Sequence, residues 1–196
     1  MIAGAILLAC VAWAFTFGVA WGNFWVKIGV AVIAVCGYSL IWQKPRVAFR
    51  WGSVGVGLLS AALLYAIFVA GNAVAPLVVG GASGQVGTIY RLGAQSSMLW
   101  VFLLLFVVTG PGEEIFWRGF LQDRLERRLG RLRGFVAATL AYAGVHVFSG
   151  NLMLVLAALV AGTWWGAFYA WRKDLLALIV SHSVWSAFVF AVWPIR

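Results

Sequence analysis

The chain has 196 residues, a formal net charge of +9, 64% hydrophobic residues and 10% charged ones. Soluble domains hold roughly 45–50% apolar and about 25% charged residues, so composition excludes an ordinary soluble domain and indicates an integral membrane protein. The arginines come without interleaved aromatic residues that would stack bases, so their charge reports orientation and no nucleic-acid partner is expected.

Seven apolar segments follow in order: 2–21, 24–42, 53–79, 97–117, 134–149, 152–171 and 175–193. They predict an all-α, polytopic membrane fold with about seven transmembrane helices. The first segment has spanning length and lacks the basic lead-in of a signal peptide. Its LLAC is only faintly like a lipoprotein cleavage box. Cys10 and Cys36 lie in apolar runs and read as small buried residues. The third segment contains Gly71 and Pro76, which predict a kink, a tilt or a break. The fifth is short for a full span.

Basic residues alternate by side. Lys44, Arg46 and Arg50 lie in one connection; Arg118, Arg124, Arg127, Arg128, Arg131 and Arg133 in another; Arg172 and Lys173 in a third. The alternate connections hold only Lys27, Arg91 and the final Arg196. The positive-inside rule then puts the N-terminus in the cytoplasm. Trp21 and Trp25 mark one border, and Trp42, Trp51, Trp117 and Trp171 the other. Between spans, GFLQDRLERRLGRLR (119–133) sets Leu121, Leu125, Leu129 and Leu132 at helical spacing against arginines, with Asp123 able to pair with Arg127. It reads as a helix lying on the cytoplasmic interface, or as a basic linker tracking anionic lipid. With no internal repeat or linker, 1–196 is read as a single membrane domain.

Ionisable residues inside spans are costly and are functional candidates. Here they are Glu113 and Glu114, at the end of the fourth segment, and the only two histidines, His146 and His182. Glu114 and Arg118 are four apart, on one helix face, and can pair. Glu113 is turned about 100° away and is left without a cation. A desolvated carboxylate of that kind has the character of a general base. Alone, the pair also fits an interfacial salt bridge, and each histidine a hydrogen-bonded packing residue. By helical rise, His182 stands about 12 Å from the 172–174 turn and His146 about 18 Å from residue 134, so a shared site is expected to open toward the cytoplasm. Gly110-Pro111-Gly112, just ahead of the glutamates, predicts a loosened or broken helix lining a wet cavity.

At these residues the chain resembles the CPBP intramembrane proteases, the CAAX-protease and bacteriocin-processing family. EEIFWRG (113–119) looks like its EExxxR motif. YAGVH (142–146) is similar to FxxxH, with tyrosine for phenylalanine, and HSVWS (182–186) is similar to HxxxN or HxxxD, with serine in the last place. GTWWGAFYAWRKDLLALIVSH is similar to the Gly-rich span before the family's last histidine. The resemblance covers about 97–193, leaving 1–96 as accessory helices.

The resemblance implies that Glu113 and His146 activate a water for attack on a peptide carbonyl. It further implies that His182, with Ser186 in the weakened fourth place, stabilises the oxyanion. Glu114 and Arg118 would support the site. No metal or other cofactor is implied; two histidines and a glutamate leave zinc as a minor alternative, without an HExxH motif. The implied substrate is a membrane-anchored or lipidated protein in the bilayer: a prenylated CAAX tail, a bacteriocin or pheromone precursor, or a C-terminal sorting tail. The expected location is a bacterial inner membrane. A non-catalytic scaffold or immunity protein of the same family is the alternative. A proton-coupled transporter is disfavoured by the lack of inverted halves. Gly18–Gly22 and Gly162–Gly166 have GxxxG spacing for close helix contacts, within the chain or between copies, so oligomeric state is open.

Overall fold

The computed structural model describes residues 1–93 and 95–195; Arg196, counted above for orientation, lies outside them. Among the described residues every regular element is helical. In chain order these are α1 (Ile2–Gly18), α2 (Phe24–Trp42), α3 (Trp51–Val78) and α4 (Ala82–Gly93). Then come α5 (Met98–Leu129), α6 (Arg131–Ser149), α7 (Leu152–Arg172) and α8 (Leu175–Val192). Six are long and apolar enough to cross a membrane, and α1, with 17 residues, is shorter. The outer faces are apolar, with Leu7, Ile33, Ile41, Leu59 and Leu77 exposed, as suits a chain whose solvent is lipid.

Side-chain caps begin several helices. Asn23 accepts from the backbone of Trp25 and Val26, Ser97 from Trp100, Asn151 from Leu154 and Asp174 from Ala177, which satisfies amide donors that have no partner within the first turn. One core cluster joins α1, α2, α5 and α6 through Trp13, Trp25, Phe116, Trp117 and Tyr142. A second joins α3, α7 and α8 through Leu64, Trp165, Tyr169 and Leu178.

Several expectations change. α5 does not stop near residue 117: it runs to Leu129, so 119–129 is no separate interfacial helix. Leu121 and Leu125 are buried, while Leu129 and Leu132 are exposed. Gln122 ties this stretch into the bundle by donating to the Gly166 carbonyl and to Glu126, each at 2.8 Å. Gly130, at φ +85, turns the chain into α6. Such a φ suits glycine, which has no Cβ to clash. The expected Asp123–Arg127 pair is present. The fifth span gains length because helix begins at Arg131.

Nor is the helix broken at 110–112. Pro111 removes a backbone donor and would press on the carbonyl four residues back. The chain answers with a wide π-type turn over Leu104–Thr109, where the Gly110 N–H bonds to the Leu105 carbonyl, and with another over Ile115–Gln122. α3 likewise continues through Gly71 and Pro76 and ends two residues later, at Val78. Trp25 and Trp117 are buried at 2% and 1% exposure rather than lying in a border belt. Gly22 has φ +83 and Gly18 faces open space, so that GxxxG pair makes no helix contact. Gly162 and Gly166 do: a Cβ there would strike Tyr142 and Phe135 of α6. α4 has no counterpart among the apolar segments.

The three basic connections gather at one end of the bundle. Gln43 donates to Asp123, Arg124 to the Trp42 carbonyl and Ser53 to Asp174, and Lys173 pairs with Glu126. The other end holds the close of α1, the start of α2, α4, and the α6–α7 turn.

Candidate active site

Glu113 of α5, His146 of α6, and His182 and Ser186 of α8 line one cavity of about 140 Å³, together with Trp13 and Tyr142. Four helices thus bring together residues up to 173 positions apart. The approach of α5 to α8 requires glycine: a Cβ on Gly110 would stand 2.4 Å from Ser183 Oγ and 2.7 Å from its Cα.

Glu114 is fully buried and Arg118 is 2% exposed. Arg118 Nη1 donates to Glu114 Oε1 over 2.9 Å, as the i,i+4 spacing predicts. The same oxygen also receives His182 Nδ1, at 2.8 Å, a contact between α5 and α8 that spacing could not reveal. The Arg118 guanidinium lies over the Tyr142 ring, 4.6 Å from its centre. His182 stacks on Trp165 at 4.0 Å, with 19° between planes. Its ring plane is therefore set by an indole and its Nδ1 by a carboxylate, leaving Nε2 as the nitrogen available to the cavity.

Glu113 is 8% exposed, and its Oε2 has no hydrogen-bond partner among the described residues. The Tyr142 hydroxyl reaches the Glu113 carboxylate. Tyr142 also touches His146: its backbone carbonyl lies 2.8 Å from His146 Nδ1, and the rings meet edge to face at 5.2 Å. A carbonyl only accepts, so Nδ1 carries the hydrogen and Nε2 is the lone-pair nitrogen. The Trp13 indole donates toward that nitrogen at 3.4 Å. Tyr142, entered above as a departure from phenylalanine, thus contacts both residues of the expected water-activating pair. Its hydroxyl at helical spacing from His146 was the available signal. Trp13 gave no signal, because nothing local couples α1 to α6.

Ser186 is buried at the cavity wall, and its hydroxyl donates to the His182 carbonyl one turn back, at 2.8 Å. That hydrogen is directed along α8 rather than into the cavity. Beside it, Trp185 Nε1 is buried without a partner among the described residues.

From Glu113 and His182 the cavity runs toward the arginine-poor end, where Phe17, Phe24, Leu92 and Leu154 line it, and His146 lies in the last turn of α6 at that same end. This lining runs away from the expected cytoplasmic side, because a distance along one helix gives depth without saying which way the void between helices widens. Among the described residues, no group of three His, Cys, Asp or Glu side chains is disposed to hold a metal ion. His182 has one ring nitrogen already engaged and His146 both.

Residues 95–188 match the family model described as type II CAAX prenyl endopeptidase Rce1-like. The matched segment contains Glu113, His146, His182 and Ser186, and omits α1 to α4. No curated protein and no solved structure matches the chain.

Proposed function

Residues 95–188 belong to the Rce1-like family of type II CAAX prenyl endopeptidases, membrane proteases, and from that premise we propose that the chain is a glutamate-type intramembrane endopeptidase. The observation that carries this reading is the shared cavity, in which a buried Glu113 oxygen without a partner stands with His146 and His182.

In the proposed reaction a water bound to Glu113 takes the place of the Trp13 indole at His146 Nε2. Glu113 takes its proton as the water oxygen bonds to the peptide carbonyl carbon. His182, with Nδ1 hydrogen-bonded to Glu114, offers Nε2–H to the developing oxyanion when its ring carries both protons; such donors contribute several kcal/mol to transition-state stabilisation. The C–N bond then breaks, and Glu113 returns the proton to the leaving amine. Glu114 and Arg118 position His182 and Tyr142. Ser186 lines the wall and holds the His182 turn. No cofactor enters the scheme.

The substrate is proposed to be a membrane-anchored or lipidated peptide. An apolar cavity of about 340 Å³, lined by α3, α4, α7 and α8, shares Trp185, Phe190 and Leu154 with the catalytic one, which supports an apolar chain beside the scissile bond. A bacterial inner membrane with a cytoplasmic N-terminus remains the proposed setting. Residues 1–96 are proposed as accessory helices to a core at 97–193 within one membrane domain, supplying cavity walls through Trp13, Phe17 and Phe24. The alternative, a non-catalytic scaffold, is favoured by one observation: the Ser186 hydroxyl donates to its own helix.

The test compares protein termini by mass spectrometry in cells carrying the wild type and cells carrying Glu113→Gln. A defined set of termini lost in the variant is expected and names the substrate. Identical termini at equal protein abundance support the scaffold instead.

A further inference from the structure

A cavity of about 280 Å³ lies beside the catalytic one, sharing Phe17, Phe24, Ile89, Leu92 and Leu154 with it. Its other walls are largely polar: Thr16, Gln95, Ser149, Asn151 and one charged residue, Lys27 of α2. Lys27 is only 9% exposed. Its Nζ donates to the Val19 carbonyl just past α1, at 2.5 Å, which uses one of its three hydrogens.

Among the described residues no side-chain carboxylate answers this charge. The chain has five acidic residues, Glu113, Glu114, Asp123, Glu126 and Asp174, and none of them lines this cavity. The ion pairs formed by Glu114, Asp123 and Glu126 go to Arg118, His182, Arg127 and Lys173. A helix-end carbonyl offsets only part of the penalty for burying an ammonium. A buried cation within a membrane chain is a functional feature by default. The void also adjoins the chemistry: Ile28, next to Lys27, lines the catalytic cavity, and Ser149 ends the 3₁₀ turn that starts at His146.

We propose that Lys27, whose ammonium keeps two hydrogens free, holds the free C-terminal carboxylate of the substrate, so that the protein removes a short tail whose end lies at the arginine-poor side of the bundle. The proposal rests on the endopeptidase reading and adds what the site recognises. A phospholipid headgroup offers the same anionic oxygens; the walls shared with the catalytic cavity favour the peptide.

The test uses the full chain as Glu113→Gln in detergent, so that peptide binds without turnover. N-decanoyl-Leu-Val-Leu is titrated as free acid and as C-terminal amide, with binding read by thermophoresis. The acid is expected to bind about 10-fold more tightly than the amide, as a charge-assisted contact implies. Adding Lys27→Met is expected to erase the difference, and Lys27→Arg to retain it. Equal binding of acid and amide to the Lys27 protein overturns the proposal, as does a preference that survives Lys27→Met, or failure of the acid to bind. Lys27-dependent binding of dioleoyl phosphatidic acid without such binding of the peptide acid also overturns it, in favour of a headgroup site. Monodisperse elution of Lys27→Met excludes misfolding, and the acid–amide comparison in the Lys27 protein does not depend on that variant. An acid preference found together with unchanged cellular termini would keep the carboxylate site and discard the endopeptidase reading.

Discussion

His182 Nδ1 lies 2.8 Å from Glu114 Oε1, joining two helices across 68 positions of sequence. The same oxygen holds Arg118, and all three side chains are buried. Glu114 is therefore the shared anchor of a cation and an imidazole. Glu114→Ala leaves a buried guanidinium uncompensated, which costs about 3–5 kcal/mol. Thermal unfolding in detergent is expected to fall far more for Glu114→Ala than for Glu113→Gln, although both variants lose cleavage. Equal unfolding midpoints would contradict the division between anchor and base.

Tyr142→Phe tests the hydroxyl that reaches Glu113. The ring and its contacts with Arg118 and His146 remain, so stability should change by about 0.5–1.5 kcal/mol, the worth of one hydrogen bond. Turnover is expected to fall by about 10-fold or less, since the hydroxyl orients the base without replacing it. His146→Ala should lower turnover much further. Single-turnover cleavage of the substrate identified from the lost termini measures both.

Ser186→Ala should leave turnover within about 3-fold of wild type, because the hydroxyl donates to the His182 carbonyl instead of pointing into the cavity. Ser186→Asn puts an amide donor where the resembled motif has one and is expected to raise turnover. A drop of about 100-fold or more in Ser186→Ala, the loss expected for an oxyanion donor, would place the hydroxyl in the oxyanion site.

Gly110→Ala should be the more damaging of two matched substitutions. Its added methyl meets backbone atoms of Ser183, whereas the methyl of Gly112→Ala meets a side-chain methyl, Val32 Cγ1, at 2.5 Å. Overpacking costs about 1–3 kcal/mol. At Gly110 it also separates Glu113 from His182, so turnover and stability should fall together. At Gly112 a rotation of Val32 relieves the clash, so stability should fall less.

A single cysteine in place of Ser149, with Cys10 and Cys36 replaced by alanine, should react with a membrane-impermeant maleimide added outside intact cells. One at Arg128 should react only after lysis. The reverse pattern would invert the orientation and put this end of the cavity on the cytoplasmic side.

Much of the fold follows from the chain alone, because transfer into lipid depends on local composition. Runs of about 20 apolar residues and the distribution of arginines indicated spanning helices and the gathering of basic connections at one end. The i,i+4 spacing gave the Glu114–Arg118 pair, and the scarcity of ionisable residues in spans singled out Glu113, His146 and His182. Contacts between helices were beyond reach, since they depend on which faces meet. Only the tertiary structure set His182 on Glu114, brought Trp13 against His146 and carried α5 straight through Pro111 to Leu129. It also turned the cavity toward the arginine-poor end and left Lys27 at its side. A helix period tells which residues share a face; the direction of that face, and the void left between faces, come from packing the helices together.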